Sequence, residues 1–234
     1  MPELPSPPEP PRPIASRRGQ TRTPEDQARD RAALVKVALE LLESEGPNAL
    51  SMRRVAAQVG ASYQVVYTLF GGKAGLLDAL FREGFRRLAR ACETTDGSDG
   101  DDGDDGDDAK MGQLVACAVA YRRFALAHRE LYALMFGQAV SGFAPDAESR
   151  RIAREAFGVV RRAARSALAA GGSETAHPPT HVVEALARAG WASTHGHVAL
   201  ELDSWFGPDP EAETRLVESL RTLVAGANER TTSD

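Results

Sequence analysis

The chain has 234 residues, 42% of them hydrophobic and only two of them cysteine, and carries a formal net charge of −5. That length allows one large domain or two small ones with a real core. Two cysteines exclude a disulfide-held scaffold. With no apolar run of about 18 residues, no membrane span is expected. The opening MPELPSPPEPPRP lacks an apolar h-region, so a signal peptide is not expected and a cytoplasmic protein is. The acidity is local. Residues 1–92 sum to +4, residues 93–108 to −9, and residues 109–234 to zero.

Residues 1–21 are rich in proline and read as a disordered arm. Arg12, Arg17, Arg18 and Arg22 sit in or beside it. Such an arm either reaches DNA phosphates or the minor groove, or is a solvated tail. Thr23-Pro24-Glu25-Asp26 is a helix start, with a Thr cap, Pro at the first helical position and acids in the first turn. Helix one runs to about Glu45, with Leu34, Val37, Ala38, Leu41 and Leu42 inward.

Leu50 to Leu80 reads as two short helices, a tight turn and the start of a longer helix. Ser51 is an N-cap, and Leu50 and Val55 have hydrophobic-staple spacing. Met52, Val55, Ala56 and Val59 share one face, Gly60 suits a left-handed turn, and Ser62 caps the second helix. Val66, Leu69 and Phe70 face inward. Tyr63, Gln64, Tyr67 and Thr68 then share an outer face that offers hydrogen bonds and aromatic area without a charge to repel phosphate. Helix four, from about Lys73 to Ala91, turns Leu76, Leu77, Leu80, Phe81, Phe85 and Leu88 inward.

Residues 93–109 are acidic and glycine-rich and are expected to be disordered; no register supplies an EF-hand ligand set. Helical periodicity resumes at 110–127, 128–136, 146–170, 181–203 and 209–227. No segment alternates with period two. The expected fold class is all-α with about nine helices.

The run L-S-M-R-R-V-A, then G-A-S, V-Y-x-x-F and G-K-x-x-L-L, resembles the helix-turn-helix of TetR-family transcriptional regulators. Trp191-Ala-Ser-Thr-His195-Gly196 is similar to the WHG-type ligand-binding domain attached to some of them. The resemblance implies five parts: an arm at 1–21, a helix-turn-helix domain at 22–72, a connecting helix at 73–92, an acidic linker at 93–109 and a ligand-binding, dimerising bundle at 110–228. Family members join the two parts more directly, so the linker is a departure. Tyr63, Gln64 and Tyr67 should meet the major groove, and the family pattern adds Arg53 as a residue that reaches a base edge. Ser51, Thr68 and Lys73 are placed for phosphate, Lys73 beside a helix N-terminus. The partners implied are double-stranded operator DNA, a second copy of the chain and a small-molecule effector. The function implied is a repressor released by that effector. Val182, Val183, Leu186, Leu200, Leu202, Leu216, Leu220 and Leu223 offer an apolar seam for a homodimer, with recognition helices about 34–36 Å apart or more.

Tyr121, Phe124, Tyr132, Met135, Phe136, Phe143, Phe157, Trp191 and Trp205 either line an apolar cavity or form plain core. The expected pocket set is Tyr121, Phe124, Met135, Phe157, Trp191 and His195. Cys92 and Cys117 read as small buried hydrophobes, with redox sensing as the alternative. The pairs His177/His181 and His195/His197 have no carboxylate or thiolate partner nearby in sequence, so no metal and no cofactor are expected. No catalytic motif is present, which argues against an enzyme. The rival function is a helical small-molecule-binding or scaffolding protein without operator binding.

Overall fold

The computed structural model describes residues 23–93, 107–137, 140–170, 178–205 and 207–231. Among them are nine α-helices and a 3-10 turn, with no strand. The helices are α1 (Pro24–Glu45), α2 (Met52–Gln58), α3 (Tyr63–Phe70), α4 (Lys73–Glu93), α5 (Asp107–Ala127), α6 (Arg129–Met135), α7 (Ala147–Ala170), α8 (Thr180–Leu202) and α9 (Ala212–Thr231).

The local signals act where the side chains place them. The Asp26 N–H donates to Thr23 Oγ1, and the Asp26 carboxylate reaches back to the Thr23 N–H, closing a capping box. Ser51 and Ser62 accept from the backbone N–H of Arg54 and Val65. Gly60, just past the end of α2, and Gly71, the C-cap of α3, take positive φ of 64° and 71° and turn the chain out of each helix. Leu50 and Val55, the staple pair, are both buried.

α4 is the central strut. It packs on α1, α3 and α6 at one end and on α5 and α7 along its length. A helix with neighbours all round needs more than a stripe, so Leu76, Leu77, Ala79, Leu80, Phe81, Phe85 and Leu88 are all buried. Gly84 lets α6 approach closely, since a Cβ there would lie 2.5 Å from Met135 Sδ. Where α1 meets α6, Glu43 Oε1 faces His128 Nδ1 at 3.4 Å, and burial pushes the Glu43 carboxyl up.

Three expectations change. α5 begins at Asp107, so its first residues fall within the span expected to be disordered. Once a helix is nucleated each added residue gains a hydrogen bond, which favours such an extension. Residues 94–106 and the arm lie outside the described residues, as does His177. α9 starts at Ala212 rather than near 209, because Asp209, between Pro208 and Pro210, accepts from the Glu211 N–H and pairs with Arg215 ahead of the helix. The proposed seam is also largely spent inside the chain. Leu216 and Leu220 are 0% exposed and pack on Ala118, and Val182, Val183 and Leu186 are buried in the main core. α5 sits beneath α8 and α9 and takes up those faces. Of the eight residues only Leu200 is exposed.

Candidate nucleic-acid interface and effector cavity

α3 is anchored from behind. Its Val66 and Phe70 are buried and Leu69 half-buried. Arg31 of α1 donates to the Leu69 carbonyl at 2.6 Å and stacks its guanidinium 4.5 Å above the Phe70 ring. Sequence periodicity did not single out Arg31, since an arginine on a helix flank reads as solvated. Its contacts come from Leu69 and Phe70, far along the chain.

The opposite side of α3 is open. Tyr63 and Tyr67 are 48% and 47% exposed, and their rings stack at 6.1 Å with an interplanar angle of 29°. Gln64 is exposed between them, and Arg53 and Lys73 are exposed on α2 and at the start of α4. Ser51 is half-buried and occupied as a cap. Thr68 is exposed, but its hydroxyl donates to the Gln64 carbonyl at 2.8 Å, so that proton must be released before it can reach a phosphate.

In the C-terminal part a small cavity of about 30 Å³ lies between α4, α5, α7 and α8. Its walls are Phe85, Leu88, Ala89 and Cys92 from α4, Tyr121 from α5, Ala153, Ala156, Phe157, Val159 and Val160 from α7, and Trp191 from α8. Of the six expected pocket residues, Tyr121, Phe157 and Trp191 meet there. Phe124 instead packs on His128 (ring centroids 5.0 Å), and Met135 packs against Gly84. His195 stands one layer behind the wall. Tyr132 and Tyr121 place their hydroxyls 2.6 and 3.0 Å from its Nδ1 and 3.1 Å from each other. Burial lowers the affinity of His195 for a proton and pushes the Tyr132 hydroxyl up to about 12, so both groups stay neutral near pH 7. Cys92 and Cys117 are buried, and the neighbouring Cys117 together with burial pushes the Cys92 thiol up.

A second polar cluster ties α4 to α7. Asp78, buried on α4, accepts from the Ser149 hydroxyl at 2.7 Å and from the Asp146 N–H at 3.0 Å. Arg82 donates to Ser149 Oγ at 2.9 Å and to Asp146 at 2.6 Å. The Ser149 N–H first, and Arg82 after it, hold Asp146 below the usual carboxylate range. Asp78 and Ser149 are 71 positions apart, so no local pattern pairs them. A broader open groove of about 460 Å³ runs along the outer face of α8, past Ala192, Gly196 and Leu200 towards Asp209 and Arg215. Among the described residues no group of three His, Cys, Asp or Glu side chains is placed to hold a metal, and no helix is long and apolar enough to cross a membrane.

Residues 34–80 match the family described as bacterial regulatory proteins, tetR family, and residues 114–224 match the tetracyclin repressor-like C-terminal domain. The chain belongs to the TetR family. It is a DNA-binding transcriptional regulator with an N-terminal helix-turn-helix and a C-terminal helical domain, and not an enzyme. Among solved structures this TetR-family regulator is similar to a protein with unknown function from Rhodococcus sp. RHA1, at 29% identity and TM-score 0.63 over 84% of this chain and 94% of that one. The regulatory protein SCO4313 is 26% identical with TM-score 0.64, covering 88% of this chain and 100% of that one. BioQ with its natural double-stranded DNA operator shares the fold at 22% identity and TM-score 0.53, over 85% of this chain and 98% of that one. No curated protein matches the chain.

Proposed function

We propose that this regulator is a cytoplasmic homodimeric repressor, bound to a near-palindromic operator and released when a small molecule enters the cavity beside α4. The parts are a reading head at 22–72, the connecting helix at 73–92 and an effector and dimerisation unit at 110–228. The observation that carries this reading is the uncharged Tyr63–Gln64–Tyr67 face, half-exposed on a helix whose other side is pinned by Arg31. Tyr63, Gln64, Tyr67 and Arg53 meet base edges, while Lys73, Ser51 and Thr68 meet phosphate. BioQ, whose structure holds its operator, shares the fold and lends support.

The second copy docks on the outer face of α8, where Ala192, Gly196, Leu200 and Trp205 stand free of the chain's own core; Trp205 is 72% exposed. A molecule between α4 and α7 pushes on Phe85 and Leu88 while the Asp78–Ser149 cluster holds the other end, so α4 swings and the two heads move apart.

A gel-shift on DNA upstream of the gene tests operator binding. Binding-site selection with Gln64→Ala tests the reader: the variant should lose preference at one base pair, about 1–3 kcal/mol of discrimination. An unchanged motif bound with unchanged affinity removes Gln64 from the reading set.

A further inference from the structure

The cavity beside α4 is chemically selective. No Asp, Glu, Lys, Arg or His side chain lines it, so a charged group would be buried there without a partner. Arg161, whose guanidinium lies 5.9 Å from the Phe157 ring centroid, is paired with Glu184 at 3.3 Å. The polar atoms behind the wall form a closed chain. The two tyrosine hydroxyls face each other at 3.1 Å, and both face His195 Nδ1. With the imidazole proton on Nε2, the tautomer that suits two facing hydroxyls, Nδ1 has a single lone pair to offer. One tyrosine therefore donates to Nδ1 and the other donates to its neighbour's oxygen. Either arrangement uses both hydroxyl protons and leaves at least one lone pair on the oxygen of Tyr121, a residue that lines the cavity.

We propose that the cavity selects an uncharged aromatic molecule carrying one hydrogen-bond donor, a hydroxyl or a ring N–H, directed at the Tyr121 oxygen. A molecule whose only polar atom is an acceptor finds no free proton there. This inference rests on the reading of the cavity as the effector site. The free space is close to the volume of one water, so binding must separate α7 from α4, the movement that release requires.

The test is calorimetric titration of the full chain, without DNA, with three flat molecules of nearly one shape. Indole offers a ring N–H, benzofuran replaces it with an acceptor oxygen, and indole-3-carboxylate adds a charge. Indole should bind at least about tenfold more tightly than either, the worth of one net hydrogen bond or more. In Tyr121→Phe the gap between indole and benzofuran should close, with operator binding retained. Ala156→Val, which takes up the free space with two added carbons, should weaken indole binding at least about tenfold. Equal binding of benzofuran or the carboxylate overturns the proposal, as does no binding of indole or indole binding unchanged by Ala156→Val. Operator binding is scored separately by gel-shift. A chain that binds indole but no operator contradicts the repressor reading alone, and one that binds operator but not indole contradicts only the ligand class.

Discussion

At the scale of single residues, the two candidate sites use polarity in opposite ways. The α3 face leaves Tyr63, Gln64 and Tyr67 exposed to solvent. The Tyr121–Tyr132–His195 set satisfies its polar atoms internally, because an unpaired buried donor costs about 1–3 kcal/mol. Lys73, exposed at the start of α4, should act through charge alone. Lys73→Ala is expected to weaken binding on all sequences alike and to lower the salt slope by about one unit, read from affinities at several salt concentrations. His195 has a lowered proton affinity in the fold, so the unfolded chain takes up the proton first as pH falls. Its contribution is therefore intact above the ordinary histidine value of about 6.5 and lost progressively below it. The melting temperature of the wild type should fall more between pH 7.5 and pH 5 than that of His195→Gln, whose other histidines still titrate. Parallel melting curves would mean that His195 is not buried as a neutral acceptor.

At the scale of elements, α4 joins the reading head to the cavity, and what fixes it matters as much as what moves it. Its N-terminal half is tied to the start of α7 by Asp78, Arg82, Ser149 and Asp146. Removing the Asp78 carboxylate leaves the Ser149 hydroxyl and the Asp146 N–H without their shared acceptor. Asp78→Ala is expected to destabilise the fold by about 1–3 kcal/mol, measured by urea unfolding. It should also weaken the coupling between ligand and operator, seen as a smaller change in operator affinity on adding effector. A variant with full coupling would locate the pivot elsewhere on α4.

At the scale of the whole molecule, the docking face proposed on α8 can be altered without touching the chain's own core. Gly196→Arg or Leu200→Arg places a charge on a face free of the chain's own core, so it should give folded monomers by light scattering with little loss of helical signal. Leu216→Glu should behave differently. Leu216 is fully buried within one chain, so a charge there is expected to cost several kcal/mol and lower the melting temperature whatever the oligomeric state. A stable monomer from Leu216→Glu would restore the seam expected from sequence.

The sequence by itself determined the helices, their caps and the polar face of α3. Those features depend on neighbours one to four positions away, the range over which a cap or a helical face is defined. Even the staple of Leu50 and Val55 and the left-handed Gly60 were legible in this way. Only the tertiary structure decided which apolar faces meet inside the chain. Leu216 and Leu220 have the spacing of an interface, yet α5 covers them, and periodicity cannot tell a face buried by the chain from one left for a partner. The same limit held for the cavity. Tyr121, Phe157 and Trp191 converge there, whereas Phe124 and Met135, identical to them in hydrophobic pattern, face other neighbours. Arg31 with Leu69, and Asp78 with Ser149, are joined across 38 and 71 positions. Such pairs form because packing brings helix surfaces within hydrogen-bond reach, a relation that no local stretch of sequence contains.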